Sequence, residues 1–341
     1  MKRLWKSLVG VSLASVLVLG GCGSTEDTQG GGEGGDDTEK TVTVAINQFV
    51  EHPSLDAATE GFKKALAENG FTEGENLEYV IDNAQADMNN IHTIANKHVS
   101  DEVDLIFANA TPSAQASVQA VKKANAEIPV LFTSVTDPVG AELIEAMDQP
   151  GEWVTGTSDT HPEAIPNTIK FIAEQTDAKT VGLIYNPGEQ NSVAQVEIVK
   201  KAMEGTGLKA AEASVATTAD VKQAAESLVD EADVLYIITD NTVVSALESV
   251  IKVAQDEDIP MFAGELDSVN RGAMAAYGFD YADLGYETGL MAAAILKGEK
   301  KPSDFEAQYP QNLKLVINKT AAEEMGVEIK SEWDDMAEYI E

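Results

Sequence analysis

Two stretches of the chain share one arrangement of polar residues. "IPVLFTSVTDPVGAELI", residues 128 to 144, and "IPMFAGELDSVNRGAMA", residues 259 to 275, each run from Ile-Pro through apolar residues into a polar turn. Hydroxyls at Ser134 and Thr136 lie in the first turn and the carboxylate of Glu265 in the second. Three further turns carry similar chemistry. "ANATPSAQA" places Thr111, Pro112 and Ser113 at the start of an expected helix, where free backbone N–H groups and hydroxyls face outward from a positive helix end. "ITDNTV" supplies Asp240 and Asn241, and "GTSDTHPEA" supplies Asp159. Donors and carboxylates at strand ends suit the capture of a small polar molecule. The bland alternative is that Thr111 and Asp137 cap their own helices.

The usual catalytic signatures are absent from the sequence. It has no G-x-S-x-G elbow, no G-x-x-x-x-G-K-[ST] loop and no G-x-G-x-x-G after its first strand-like run. His52, His92, His98 and His161 are scattered, so neither a metal site nor any cofactor is expected. The single cysteine, Cys22, excludes disulfides within the chain and a thiol nucleophile beyond that position.

The elements that must hold these turns follow from the apolar pattern. Short β-branched runs at 41–47, 77–82, 103–108 and 128–133 alternate with amphipathic stretches, and a second series repeats the rhythm at 180–185, 208–213, 234–239 and 259–263. Leu55, Ala58, Phe62, Ala65 and Leu66 form one helical core stripe. Val193, Val196, Val199 and Met203 form a second, and Val243, Leu247, Val250, Ile251 and Ala254 a third. "DLIFANATPSAQASV" corresponds to "DVLYIITDNTVVSAL", each followed by Ile-Pro. The expected fold is therefore α/β, with two doubly wound parallel-sheet lobes joined by a multi-strand hinge. Crossings near 156, 280 and 310 would give one lobe of 41–156 with 281–310 and another of 157–280 with 311–341. A last helix carrying Trp333, Met336 and Ile340 is expected at the end of the chain. Ser192, with Gln195 three residues on, reads as a capping box.

The first 21 residues carry Lys2, Arg3 and Lys6, then an uncharged stretch and "LGGC", the pattern of an export signal. The stretch from 22 to 40 is rich in Gly, Ser, Thr and acids and reads as a flexible tether. Without the signal, 20 basic residues face 58 acidic ones, a formal charge of −38. Such a surface repels nucleic acid and anionic headgroups.

"LGGC" resembles the lipobox of bacterial lipoproteins, which implies lipidation of Cys22 at a mature N-terminus and membrane contact through the lipid alone. The segments "NQFVEHPSLDAATEGF", "ANATPSAQA", "FTSVTDPVGA", "VTGTSD", "YNPGEQNS", "ITDNTV" and "YGFDYADLGYETG" stand in order over residues 41 to 330. Together they resemble substrate-binding lipoproteins of ABC importers, type I fold, of the family that includes tryptophan- and tyrosine-binding members. That resemblance implies a monomer facing the outside, an ABC permease as partner, no enzymatic activity, and an amino-acid ligand with an aromatic side chain. An extracytoplasmic sensor of the same fold, signalling to a membrane partner, remains one alternative, and binding of a different small organic ligand another.

A zwitterion needs donors for its carboxylate, acceptors for its ammonium and a surface for its side chain. Thr111, Ser113, Ser134 and Thr136 are the candidate donors. Asp159 and Asp240 are the favoured acceptors, with Glu265 behind them and Asn241 beside Asp240. Tyr185, Glu189 and Asn191 sit on the turn of the opposite lobe, while Gln48, Phe49, His52 and Pro53 offer a surface after the first strand. Phe49 serves equally well as core, and His52 as a packing or hydrogen-bonding group.

Overall fold

The structure, a computed structural model, describes residues 41–341. The signal, the tether and Cys22 lie outside the described residues. The first lobe runs β1 (Val42–Gln48), α1 (Pro53–Glu68), β2 (Leu77–Asn83), α2 (Met88–Ser100), β3 (Leu105–Asn109), α3 (Thr111–Ala124), β4 (Val130–Val135) and β5 (Val154–Ser158). The second begins α4 (Ala164–Gln175), β6 (Thr180–Tyr185), α5 (Gln190–Met203), β7 (Lys209–Ser214), α6 (Val221–Leu228) and β8 (Val234–Ile237). It continues α7 (Asn241–Val244), α8 (Leu247–Asp256), β9 (Met261–Ala263), α9 (Leu266–Arg271) and β10 (Ala275–Gly278). Last come α10 (Tyr281–Leu296), β11 (Lys314–Asn318), α11 (Lys319–Glu324) and β12 (Ala337–Ile340).

The first sheet has the order β2-β1-β3-β4-β5, all parallel. Within the second sheet, β7-β6-β8-β9-β10 repeats that order strand for strand, which is the doubling expected from the paired motifs. Open sheets of this order bind ligands where the order reverses, at the carboxyl ends of the strands. In both lobes those ends carry the polar turns.

β11 and β12 extend the second sheet, and β11 is its one antiparallel addition, paired with β10. The chain end corrects the expected last helix. Trp333 lies in a short 3-10 turn and is buried against Phe171, and residues 337–340 pair in parallel with β11. Two stripes are also corrected. Val193 is 43% exposed, and the third stripe is split between α7 and α8.

Helix α10 follows the second lobe's main strands in sequence yet packs along α1, so it belongs physically to the first lobe. The helices meet through glycines. A Cβ on Gly285 would lie 1.7 Å from the carbonyl oxygen of Ala58, and one on Gly61 2.0 Å from that of Ala282. No side chain larger than hydrogen fits there without moving the helix. This contact sets the N-terminus of α10, and Tyr281 with it, beside the end of β5. The return strand is strapped to β5 as well, since Ser158 N–H donates to the Gln308 carbonyl at 2.7 Å and Gln308 N–H to that of Gly156 at 3.1 Å.

Each lobe buries its own core. Phe62 stacks on Phe107 with centroids 4.0 Å apart in the first, and Phe171 meets Phe262 edge-on in the second. Among the described residues, no helix is long and apolar enough to cross a membrane.

Candidate functional site

Between the lobes lies a tight cavity of about 10 Å³, lined by His52, Leu55, Ser134, Asp159, Thr239, Asn241, Val244, Glu265 and Tyr281. That is room for about one water, far below the roughly 300–1,000 Å³ of sites for drug-sized ligands, so a larger guest enters only when the lobes part. Ser134 is the last but one residue of β4 and Glu265 follows β9, so the ends of two similar strands meet on one space.

On the cavity wall Ser134 Oγ, Asp159 Oδ1 and His52 Nδ1 are buried with no protein partner, as are Thr111 Oγ1, Ser113 Oγ and Asn191 Oδ1 on the turns that follow strands. Buried polar groups are nearly always paired, so such a cluster marks where hydrogen-bonding capacity is held in reserve. The local backbone explains part of it. Thr111 was expected to cap α3, but the cap position falls to Ala110, whose φ of 87° is strained for a residue with a Cβ. The Thr111 hydroxyl is thereby released from capping. Ser134 also has a positive φ, 56°, at an irregularity in the pairing of β4 with β5. Two strained residues at adjacent strand ends fit a site whose geometry is held by its surroundings. Asp137 binds the Gly140 N–H at 2.8 Å and holds its own turn.

Asp159 is buried and accepts the Tyr281 hydroxyl on Oδ2 at 2.9 Å. Burial raises its pKa to about 6, and the charge of Glu265 adds to the rise while the Tyr281 bond opposes it. Burial likewise raises Glu265, whose Oε1 accepts the Ser268 hydroxyl at 2.8 Å. The two carboxylates therefore share a dry space without a side-chain cation bonded to either. An ammonium entering it would meet an acceptor already in place.

Asp240, favoured equally at the level of sequence, has a different role. It is fully buried, caps α7 through the Val243 N–H at 2.8 Å, and also accepts the Asn186 N–H at 2.6 Å and the Ser192 hydroxyl at 2.7 Å. Both of its oxygens are committed to protein donors. Burial and the neighbouring Glu189 raise its pKa. Glu189 is an anchor too: its oxygens take Asn241 Nδ2 at 2.6 Å, Thr242 Oγ1 at 2.7 Å, and the N–H groups of both residues.

Other sequence candidates also go elsewhere. Tyr185 donates to Glu212 at 3.1 Å on the outer edge of the sheet. Gln48 is tied up by Val50, Asp56 and Thr59 inside the first lobe. Phe49 is buried in a core cluster with Leu55 and Ile91, and Pro53 is exposed at the first position of α1. Ser192 makes no capping box, because its hydroxyl goes to Asp240.

Gln195 and Tyr281 are the residues that sequence reasoning missed. Gln195, on α5 of the second lobe, donates through Nε2 to Thr136 Oγ1 of the first lobe at 3.0 Å and to Thr239 Oγ1, while its Oε1 accepts the Thr239 N–H at 3.1 Å. It ties the lobes together at the cavity's edge. No local motif announces such a contact, which exists only once the lobes face each other. The same applies to Asn241 and His52, which approach to 3.5 Å across the cleft.

Comparison with known proteins follows the same lines. A family model described as "ABC transporter substrate binding protein" matches residues 43–338. A curated tyrosine-binding protein of Clostridioides difficile is 40% identical over 314 residues, covering 92% of this chain and 89% of that one. Among solved structures, the ABC domain in complex with L-Trp from Streptococcus pneumonia is 31% identical, covers 89% of this chain and 100% of its own, and has a TM-score of 0.82. The ligand-free, open structure of a substrate-binding protein with adhesive properties from Clostridium difficile is 41% identical over 88% of this chain and 99% of its own, yet its TM-score is 0.63. Despite its higher identity, that open structure overlaps this chain less well than the L-Trp complex does. By the match of nearly its whole described length to one model, this chain is a member of the ABC transporter substrate-binding protein family.

Proposed function

We propose that this protein captures an amino acid with an aromatic side chain (tryptophan, tyrosine or phenylalanine) between its lobes and delivers it to an ABC permease. The observation that carries the reading is the buried Asp159 carboxylate, bonded to the Tyr281 hydroxyl on Oδ2, with the Thr136 hydroxyl beside it and no cation bonded to it. Thr111, Ser113 and Ser134 would receive the ligand's carboxylate, and Asp159, supported by Glu265, its ammonium. Leu55 and Val244, with the imidazole of His52, offer the side chain its apolar wall. The relative that is a tyrosine-binding protein and the neighbour in complex with L-Trp support the same ligand class.

In this reading the chain binds and releases without chemistry, as a monomer outside the cytoplasm, held to the membrane by lipid on Cys22. The hinge strands divide it into lobes of 41–156 with 281–310 and of 157–280 with 311–341. Closure carries the signal: ligand contacts from both lobes exist only in the closed form, so binding shifts the population towards it. Isothermal titration of the soluble protein from Thr41 with each proteinogenic amino acid tests the assignment. Saturable binding of at least one aromatic amino acid is expected, and heat from none of them would refute it. Cys22→Ser should release the protein from the membrane fraction, and continued membrane attachment would contradict the anchor.

A further inference from the structure

His52 follows β1, lines the cavity and is 6% exposed. Its protonation pattern is set from the opposite lobe. The Glu189 carboxylate takes both the backbone N–H and the Nδ2 of Asn241, which commits the amide's NH2 end and turns Oδ1 towards the imidazole. Oδ1 can only accept, so the His52 nitrogen facing it, Nε2 at 3.5 Å, carries the hydrogen. A neutral ring has one such hydrogen, and burial keeps this ring neutral, with its pKa lowered to about 4. Nδ1 is then a bare acceptor, buried and without a protein donor. The imidazole lines the same space as Asp159 and Glu265 and shares its wall with the apolar side chains of Leu55 and Val244.

We propose that His52 Nδ1 is a specificity-determining acceptor for a donor on the ligand's side chain, so that the site selects rings bearing an O–H or N–H over a plain hydrocarbon ring. The inference rests on the aromatic amino-acid reading and narrows it to phenolic and indole side chains. A buried acceptor left unpaired disfavours the ligand that lacks the donor, which is how a polar site rejects an isostere.

The test compares L-tyrosine, L-tryptophan and L-phenylalanine by calorimetry on the wild type and on His52→Leu. The wild type should bind at least one of the two donor-bearing ligands about tenfold or more tightly than phenylalanine. His52→Leu should erase that preference by weakening the donor-bearing ligand while leaving phenylalanine unchanged or tighter. Equal wild-type affinity for all three, or equal weakening of all three in His52→Leu, would overturn the proposal while leaving the aromatic assignment standing. If none of the three binds, the parent reading falls and this one with it. Should His52→Leu not fold, nitrogen-15 spectra of the wild type decide: the Nδ1 resonance should move towards the hydrogen-bonded value with the donor-bearing ligand and not with phenylalanine, and identical spectra would refute the proposal.

Discussion

Asp159→Asn isolates the electrostatic step of binding. In the closed form the Asp159 pKa rises from 3.8 to about 6, mainly through burial. At 1.36 kcal/mol per unit, ionising that carboxyl in the closed form without a cation beside it costs about 3 kcal/mol. The sign follows from the direction. A carboxyl with a raised pKa carries no penalty below its ordinary value of 3.8, and the penalty grows with rising pH until it levels off above about 6. A ligand ammonium removes the penalty by lowering the pKa again. Binding near pH 6 should therefore release a fraction of a proton, and affinity should fall by up to tenfold per pH unit below about 6. Asparagine keeps the shape and deletes the charge, so affinity at pH 8 should drop by about 100-fold, matching the 2–5 kcal/mol typical of breaking a buried charge pair. The ligand-free variant should populate the closed form more than the ligand-free wild type at pH 8, because the ionisation penalty of closing is gone. Calorimetry in two buffers of different ionisation enthalpy, at pH 6 and pH 8, reads both the affinity and the proton count. An unchanged affinity in Asp159→Asn, or a proton release that persists in it, would refute the reasoning.

Three further outcomes follow from the same geometry. Glu265→Gln removes the charge that helps to raise Asp159, so the midpoint of the affinity profile should move below pH 6; a profile fixed at 6 would exclude the coupling. Gln195→Ala deletes the link to Thr136 across the cleft, and stopped-flow should show ligand leaving about fivefold faster, as expected for the loss of about 1 kcal/mol of hydrogen bonding in the closed state; an unchanged rate would mean that the link forms equally in the open state. Gly285→Ala places a methyl against the Ala58 carbonyl and should lower Tm by roughly 5 °C or more, since overpacking costs about 1–3 kcal/mol, and weaken binding through the displaced Tyr281; a wild-type melting curve would contradict the close approach of α1 and α10.

Much of this architecture was legible because the parallel strands are buried on both faces and read as unbroken apolar runs, as in "VLYI" and "LIFAN". Their ends stand out as the places where the run stops. What separates Asp159 from Asp240 is subtler, although both follow a strand. The helix after Asp240 begins at the next residue, so its carboxylate is consumed as a cap, whereas α4 starts five residues after Asp159 and leaves that side chain free. Distance to the next helix is the sequence signal that separates the two. Tyr281 was not legible, because it enters from a helix that crosses back to the first lobe. At the chain end, Trp333, Met336 and Ile340 imitate helical spacing, but the gain from adding a strand beside β11 overrides a pattern of three residues.

A crystal structure of the protein grown with L-tyrosine or L-tryptophan tests the central claim most directly. The account predicts one amino acid in the cavity between the lobes, its ammonium on Asp159 Oδ1 and its carboxylate among Thr111, Ser113 and Ser134. A ligand bound elsewhere, or one in the cavity with its ammonium away from Asp159, would contradict it.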